Sequence, residues 1–319
     1  MSFADIAGHR KNIAVIKRIL GSARIAHAFL FSGPEGVGKG KFAIAFIQQL
    51  FCANGTGCDD CPSCKKIASG NHPDIHTLLP DGQFIKIDQV RALQKELSYR
   101  PYEAVRKACI IDGAERLNQS SGNALLKTLE EPPGSAIMIL LTSAADSVLP
   151  TIRSRCQQLV FAGVPLDEIE ALLLARGTDA GIASVAAALA DGSVARAIEF
   201  CNDGSSSDRQ AVIELACRMS LQEMSSIFAF GEQFDKDREK ALQSLELLLG
   251  FWRDMLHFHC GSTTAANRDL PGLLAAEAAR RSSTAIMDGI ESLLKTRQAI
   301  QRNANVRLAM DVLGMKLAA

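Results

Sequence analysis

Apolar positions in the first half of the chain switch between two periods. Residues 13–20 carry them at helical spacing, whereas 27–31 form a short apolar run that ends in a Gly-rich turn, the pattern of a buried strand. Residues 41–51 are helical again. A second buried strand is expected at 107–112, a helix over 121–131 stopped by Pro132 and Pro133, a third strand at 136–141 and a fourth at 157–161. Strands separated by helical segments imply βαβ units and a parallel sheet.

After Gly163 the pattern becomes helical throughout. Short helical segments are expected at 165–175, 182–190 and 194–201, and long ones at 209–219, 237–259 and 282–317. Residues 202–207 (Asn-Asp-Gly-Ser-Ser-Ser) form the strongest linker signal in the chain. No internal repeat is visible. The expected organisation is an α/β nucleotide domain over 1–163, a small helical domain over 164–205 and an all-α domain over 206–319.

Composition agrees with this picture. The 319 residues are 47% hydrophobic, enough for a substantial core, and only 5% aromatic. Thirty-five basic and 35 acidic residues cancel, so charge alone demands neither a nucleic-acid nor a membrane partner. The apolar stretches at 136–141 and 185–190 are too short to span a bilayer, and the N-terminus shows no signal peptide, so a cytoplasmic location is expected.

Gly33-Pro34-Glu35-Gly36-Val37-Gly38-Lys39 matches the G-x-x-x-x-G-K part of a phosphate-binding loop. The glycines let backbone N–H groups turn around phosphate oxygens, the following helix presents its positive end, and Lys39 adds a point charge. A glycine-rich turn without ligand is the bland alternative. The next position is Gly40, where Ser or Thr normally holds magnesium, so binding without efficient hydrolysis is the physical expectation.

Asp112 ends a buried strand where a metal-organising aspartate would stand; the alternative is an N-cap of the next helix. The acidic residue that usually follows is replaced by Gly113, and Glu115 is expected on the first helical turn. Thr142 and Ser143 close the third strand, facing either a γ-phosphate or an ordinary turn. Arg153 and Arg155 suit phosphoryl charge across a subunit interface, against the alternative of a solvated helix end.

Nine cysteines are present, and Cys52, Cys58, Cys61 and Cys64 fall within thirteen residues. Two overlapping C-x-x-C steps fit a closed tetrahedral zinc site of structural role; an iron–sulfur cluster is the alternative. An odd count with one tight cluster fits a reducing compartment better than a disulfide framework.

The run Asn123-Ala124-Leu125-Leu126-Lys127-Thr128-Leu129-Glu130-Glu131-Pro132-Pro133, followed by Leu149-Pro150-Thr151-Ile152-Arg153-Ser154-Arg155-Cys156, resembles the AAA+ clamp-loader subunits of DNA polymerase. The cysteine knuckle after the phosphate loop, with His72-Pro73-Asp74 beyond it, is similar to the bacterial ones, and Asn303-Ala304-Asn305-Val306-Arg307-Leu308 is a weaker likeness. The resemblance implies a P-loop AAA+ domain with a parallel sheet (1–163), a helical lid (164–205) and an oligomerising collar (206–319). It implies a hetero-pentamer with gamma/tau and delta subunits, acting on a sliding clamp and on primed DNA. It implies a structural Zn²⁺ on Cys52, Cys58, Cys61 and Cys64. ATP or ADP would lie weakly held or unhydrolysed on Gly33, Gly36, Gly38, Lys39, Gly40, Asp112 and Thr142.

Arg155 would serve in trans as an arginine finger to a neighbour's ATP, with Arg153 as its competitor. A sensor arginine is expected near Gly192-Ser193-Val194-Ala195-Arg196, but Arg196 falls one residue late. Gly40, Gly113 and Arg196 favour a non-hydrolysing subunit; a gamma/tau-type ATPase is the alternative. A zinc-dependent DNA-binding or repair protein is weakened by the neutral charge and the lack of a clustered basic face.

Overall fold

The computed structural model describes residues 3–22, 25–202, 205–235, 237–261, 266–267 and 269–318. The described chain divides into two compact units, residues 1–172 with 192–195 and residues 173–191 with 196–319.

The first unit is built on one parallel sheet. Its elements are α1 (Arg10–Leu20), β1 (Ala28–Ser32), α2 (Lys39–Phe51), α3 (Pro62–Ala68), β2 (Ile75–Leu78), α4 (Ile87–Ser98), β3 (Ala108–Asp112), α5 (Gln119–Glu130), β4 (Ile137–Thr142), α6 (Pro150–Arg153) and β5 (Gln157–Val160). The strand order is β2-β3-β4-β1-β5, with every pair parallel. Both faces are covered, which is why β1, β3 and β4 are apolar at every position but their last. Phe29, Phe31, Ile139 and Leu141 pack with Phe42 and Phe46 of α2 on one face. Leu30, Ile111, Met138 and Leu140 pack with Val90, Leu93, Leu125 and Leu129 of α4 and α5 on the other. The register Ser32↔Thr142 and Asp112↔Leu141 brings the C-terminal ends of three strands together beside the start of α2.

The four predicted strands are present within one residue at either end. Three helices of this unit, α3, α4 and α6, and one strand, β2, escaped the pattern. β2 is an edge strand in which only Leu78 is buried, so no apolar run marks it. α4 shows three buried positions, Val90, Leu93 and Leu97, among charged neighbours.

The remaining helices are α7 (Leu166–Ala175), α8 (Ala180–Leu189), α9 (Val194–Asn202), α10 (Ser205–Arg218), α11 (Met224–Glu232), α12 (Arg238–His259), α13 (Pro271–Arg280), α14 (Ser283–Gln301) and α15 (Val306–Leu317). Two sequence expectations need correction. The linker signal at 202–207 does not mark an extended connector: Asn202 ends α9 and Ser205 already opens α10, while Asp203 and Gly204 lie outside the described residues. The buried positions Val212, Ile213, Ala216 and Cys217 draw that helix into the core. The long helix expected over 282–317 is two helices. Asn303 is left-handed (φ 67°) and the Asn305 side chain accepts from the Leu308 N–H at 2.9 Å, capping α15.

The second unit has its own core around Phe230, Phe234, Leu248, Phe251, Trp252 and Met255. A buried polar network lies beside it. Arg209 pairs with Asp269 and donates to Asn267, whose side chain in turn donates to Asp254 at 2.6 Å. Among the described residues no helix is long and apolar enough to cross a membrane.

Candidate phosphate loop, cysteine knuckle and arginine site

The phosphate loop leaves β1, turns through residues 33–38 and enters α2 at Lys39. Gly38 caps the helix with φ 102°, and no heavy atom lies within 4 Å of where its β-carbon would stand. The loop therefore opens its backbone toward free space at the positive end of a helix, the arrangement that suits an anion. Gly36 (φ 76°) faces the chain at 192–195: a β-carbon there would lie 2.1 Å from the Ser193 hydroxyl. The Ala195 N–H donates to the Gly36 carbonyl at 3.0 Å, which stitches this strap to the loop.

Lys39 stands at the mouth of the loop. Its ammonium donates to the carbonyls of Gly33 (2.6 Å) and Pro34 (2.7 Å). Burial lowers its pKa, while Asp112, Glu115 and Glu35 pull the other way. Gly40 lies one residue inside α2 and offers no oxygen; a β-carbon there would touch only Leu141 Cδ1, at 3.8 Å.

Asp112 ends β3 and is exposed. It does not cap the following turn: the N-cap position of the 3-10 turn Ala114–Arg116 is Gly113, with φ 77°. A β-carbon at Gly113 would stand 3.2 Å from Pro80 Cγ and in a backbone state that L side chains rarely adopt. The backbone directly after Asp112 is therefore shaped for glycine.

Sequence reasoning missed three residues around this loop as members of the site. Glu115 accepts from the Ser143 hydroxyl at 3.0 Å. Burial works against its charge, yet hydrogen bonds from Thr142 and Ser143 outweigh it and hold its carboxyl below the usual range. His9 Nε2 lies 2.8 Å from the Val37 carbonyl, and its ring stands edge-on to Phe161. Ser193 lies against Gly36. No spacing rule ties position 9 to residues 33–38, and the segment 192–196 stands out in sequence for its arginine, so only the fold reveals the contacts of His9 and Ser193. Thr142 is buried, and its hydroxyl oxygen accepts from the Ala144 N–H at 3.1 Å, the turn contact weighed from sequence. Arg196 pairs with Glu246 at 3.3 Å.

The four cysteines converge at the other end of α2. The sulfurs of Cys52, Cys58, Cys61 and Cys64 all lie within 4.8 Å of one another. Ligands at about 2.3 Å around a tetrahedral zinc stand about 3.8 Å apart, so the cluster fits such an ion with four thiolates and no open position. The Cys58 N–H points at Cys52 Sγ and the Cys61 N–H at Cys58 Sγ, both at 3.4 Å. Burial opposes charge on Cys52, but N–H groups of Cys58, Asn54 and Thr56 bring its pKa down to about 5. Burial and the neighbouring thiols push Cys64 up to about 12.

His72-Pro73-Asp74 follows the knuckle. Asp74 is fully buried and accepts from the N–H groups of Tyr102 (2.7 Å), Glu103 (2.8 Å) and Ala104 (2.8 Å). Glu103 in turn pairs with Lys66 of α3 at 2.6 Å. The motif is thus a structural clamp that holds the 100–106 loop against the knuckle.

The two arginines separate. Arg153 pairs with Asp146 at 2.9 Å. Arg155 pairs with Glu130 at 2.6 Å and remains 38% exposed.

Comparison with known proteins then places the chain. A model of the family described as "DNA polymerase III, delta subunit" matches residues 8–165, and one described as "DNA polymerase III, delta subunit, C terminal" matches residues 205–313. The DNA polymerase III subunit delta' of Bacillus subtilis is 32% identical over 301 residues, covering 92% of this chain and 91% of that one. The chain belongs to the delta-prime subunits of bacterial DNA polymerase III. As a delta-prime subunit it is a component of the clamp loader and so of DNA replication. Its first half is also similar to the Haemophilus influenzae DNA polymerase III subunit tau/gamma, 37% identical over 172 residues, 53% of this chain and 25% of that one. A solved structure of a gamma subunit-related protein from Thermotoga maritima shares the fold (TM-score 0.56, 18% identity, 96% of this chain and 98% of that one). The delta-prime chain therefore has the AAA+ fold expected from sequence, with a helical C-terminal region.

Proposed function

We propose that this delta-prime chain is a largely non-hydrolysing stator of the clamp loader, one that supplies Arg155 in trans to ATP held by a neighbouring gamma/tau subunit. Its parts divide as an AAA+ domain (1–163), a lid (164–205) and a collar (206–319) that joins it to gamma/tau and delta. The assembly would load the sliding clamp onto primed DNA in the cytoplasm, with DNA met through the complex. Zn²⁺ on Cys52, Cys58, Cys61 and Cys64 would be structural. ATP or ADP would lie on residues 33–40, with Asp112 and Thr142 at the strand ends, weakly held or unhydrolysed.

The observation that carries this reading is the left-handed backbone at Gly113, φ 77°, directly after Asp112. With no carboxylate there and no hydroxyl at Gly40, neither the water nor the magnesium has its usual partner. Arg155, by contrast, is whole and partly exposed. A trans arginine of this kind is worth about 10³–10⁵ in rate at the site it serves.

The test is ATP turnover by the purified chain alone and in the complex reconstituted with gamma/tau and delta. The chain alone should be inactive, and Arg155→Ala should abolish the share of complex turnover contributed by the facing site. Robust turnover by the chain alone would assign it to the hydrolysing, gamma/tau type instead. An Arg155→Ala complex as fast as wild type would remove the trans role.

A further inference from the structure

We infer that Glu130 is the positioning residue for Arg155, and that the two side chains act as one unit on the neighbour's nucleotide; this rests on the trans role proposed above. Arg155 Nη2 lies 2.6 Å from Glu130 Oε1, and Nη1 donates to the Thr151 carbonyl at 3.0 Å and faces the Ser154 hydroxyl at 3.4 Å. A guanidinium carries five N–H groups in one rigid plane. Contacts at both terminal nitrogens fix that plane, and a guanidinium, with five N–H groups, has more donors than these contacts use. A long side chain that is already ordered loses less freedom when it meets phosphate.

The support behind the pair is built. Glu130 is the last residue of α5, whose N-terminus is fixed by the Asn118 side chain accepting from the Ser121 N–H at 2.9 Å. Arg155 stands two residues beyond α6. The two helices meet where Gly122 faces Leu149: a β-carbon at 122 would lie 2.2 Å from Leu149 Cδ1. That contact packs the first turn of α5 against the N-cap residue of α6. Arg153 is held by a different carboxylate, Asp146, which separates the competing arginine from this arrangement.

Both partners are partly exposed, 38% for Arg155 and 50% for Glu130, so the pair adds little to folding and its effect falls on geometry. A misplaced reacting group commonly costs one to two orders of magnitude. Glu130→Ala should therefore lower the Arg155-dependent turnover of the reconstituted complex about tenfold in kcat, with the KM for ATP within about twofold of wild type. Glu130→Gln keeps an acceptor oxygen at the same reach and should recover part of that loss. In an Arg155→Ala background, Glu130→Ala should change nothing further, because its only route to the chemistry is gone. Size-exclusion chromatography of each complex controls for assembly.

The inference is overturned if Glu130→Ala leaves turnover intact while Arg155→Ala slows it. It is overturned equally if Glu130→Ala slows both backgrounds alike, the mark of general damage, or if it raises turnover, the mark of a brake. If Arg155→Ala itself has no effect, the trans role fails and the positioning role with it.

Discussion

The hydroxyl of Ser143 donates a 3.0 Å hydrogen bond to the carboxylate of Glu115. This bond ties the end of β4 to the turn after β3, directly beside Lys39. Glu115 is thus engaged by neighbouring hydroxyls, and under the proposed non-hydrolysing role it does not stand in for an acid at position 113. Gly40→Thr tests the consequence. The nearest atom to a β-carbon there is 3.8 Å away, so the variant should fold with a Tm within about 2 °C of wild type. It should still release no phosphate above background in a colorimetric assay, because the water-activating position is unchanged.

Gly113→Glu addresses the other half. Backbone strain at φ 77° and the approach to Pro80 should destabilise the chain by about 1–3 kcal/mol in urea unfolding. Combined with Gly40→Thr, it should not confer turnover. A stable, hydrolysing double variant would show that side chains alone separate this chain from an ATPase.

Asp74 offers a pH test. Burial opposes its charge, but the N–H groups of Ala104, Glu103 and Tyr102 and the nearby His72 hold its carboxyl below the usual 3.8. A depressed folded-state pKa gives stabilisation that is complete above about pH 4 and is lost as the pH falls through the folded value. Asp74→Asn should cost about 3 kcal/mol at neutral pH, since a charged acceptor of three N–H groups is replaced by a neutral amide. The difference between the two proteins should shrink as urea titrations move from pH 5 toward pH 3.

The cysteine knuckle should carry about one zinc per chain, measured by elemental analysis of freshly purified protein. Removing it with a chelator, or by Cys64→Ser, should lower Tm and increase proteolysis within residues 52–68. Protein free of metal as purified would refute the site.

Gly122→Val pushes α6 away from α5. Overpacking against Leu149 should cost about 1–3 kcal/mol of stability. Gly122→Ala, a milder intrusion, should still fold and should weaken the Arg155-dependent turnover of the complex. Unchanged turnover with a shifted Tm would show that the helix contact serves stability alone.

Much of this was visible in the residues. β1, β3 and β4 are short apolar runs closed by one polar residue, and such a run is covered on both faces, whereas β5 buries only Leu159. The phosphate loop and the cysteine spacing are local motifs, so their geometry follows from neighbours in sequence. What escaped was set by distance along the chain. Glu130 and Arg155, His9 and Val37, and Gly36 and Ser193 meet only because the sheet and its helices fold between them. The break inside 282–317 escaped for the opposite reason: helical spacing continues across Asn303, and a single left-handed residue turns the chain.

Gly36 and Ser193 share one space. A side chain at 36 would fall on the Ser193 hydroxyl, and the Ala195 N–H already occupies the Gly36 carbonyl. Neither position is free to drift alone. Among delta-prime relatives, residues 36 and 193 should covary: bulk gained at one should be matched by bulk lost at the other. A strap and a phosphate loop that inherit changes together form one heritable part, although 157 positions separate them in the sequence.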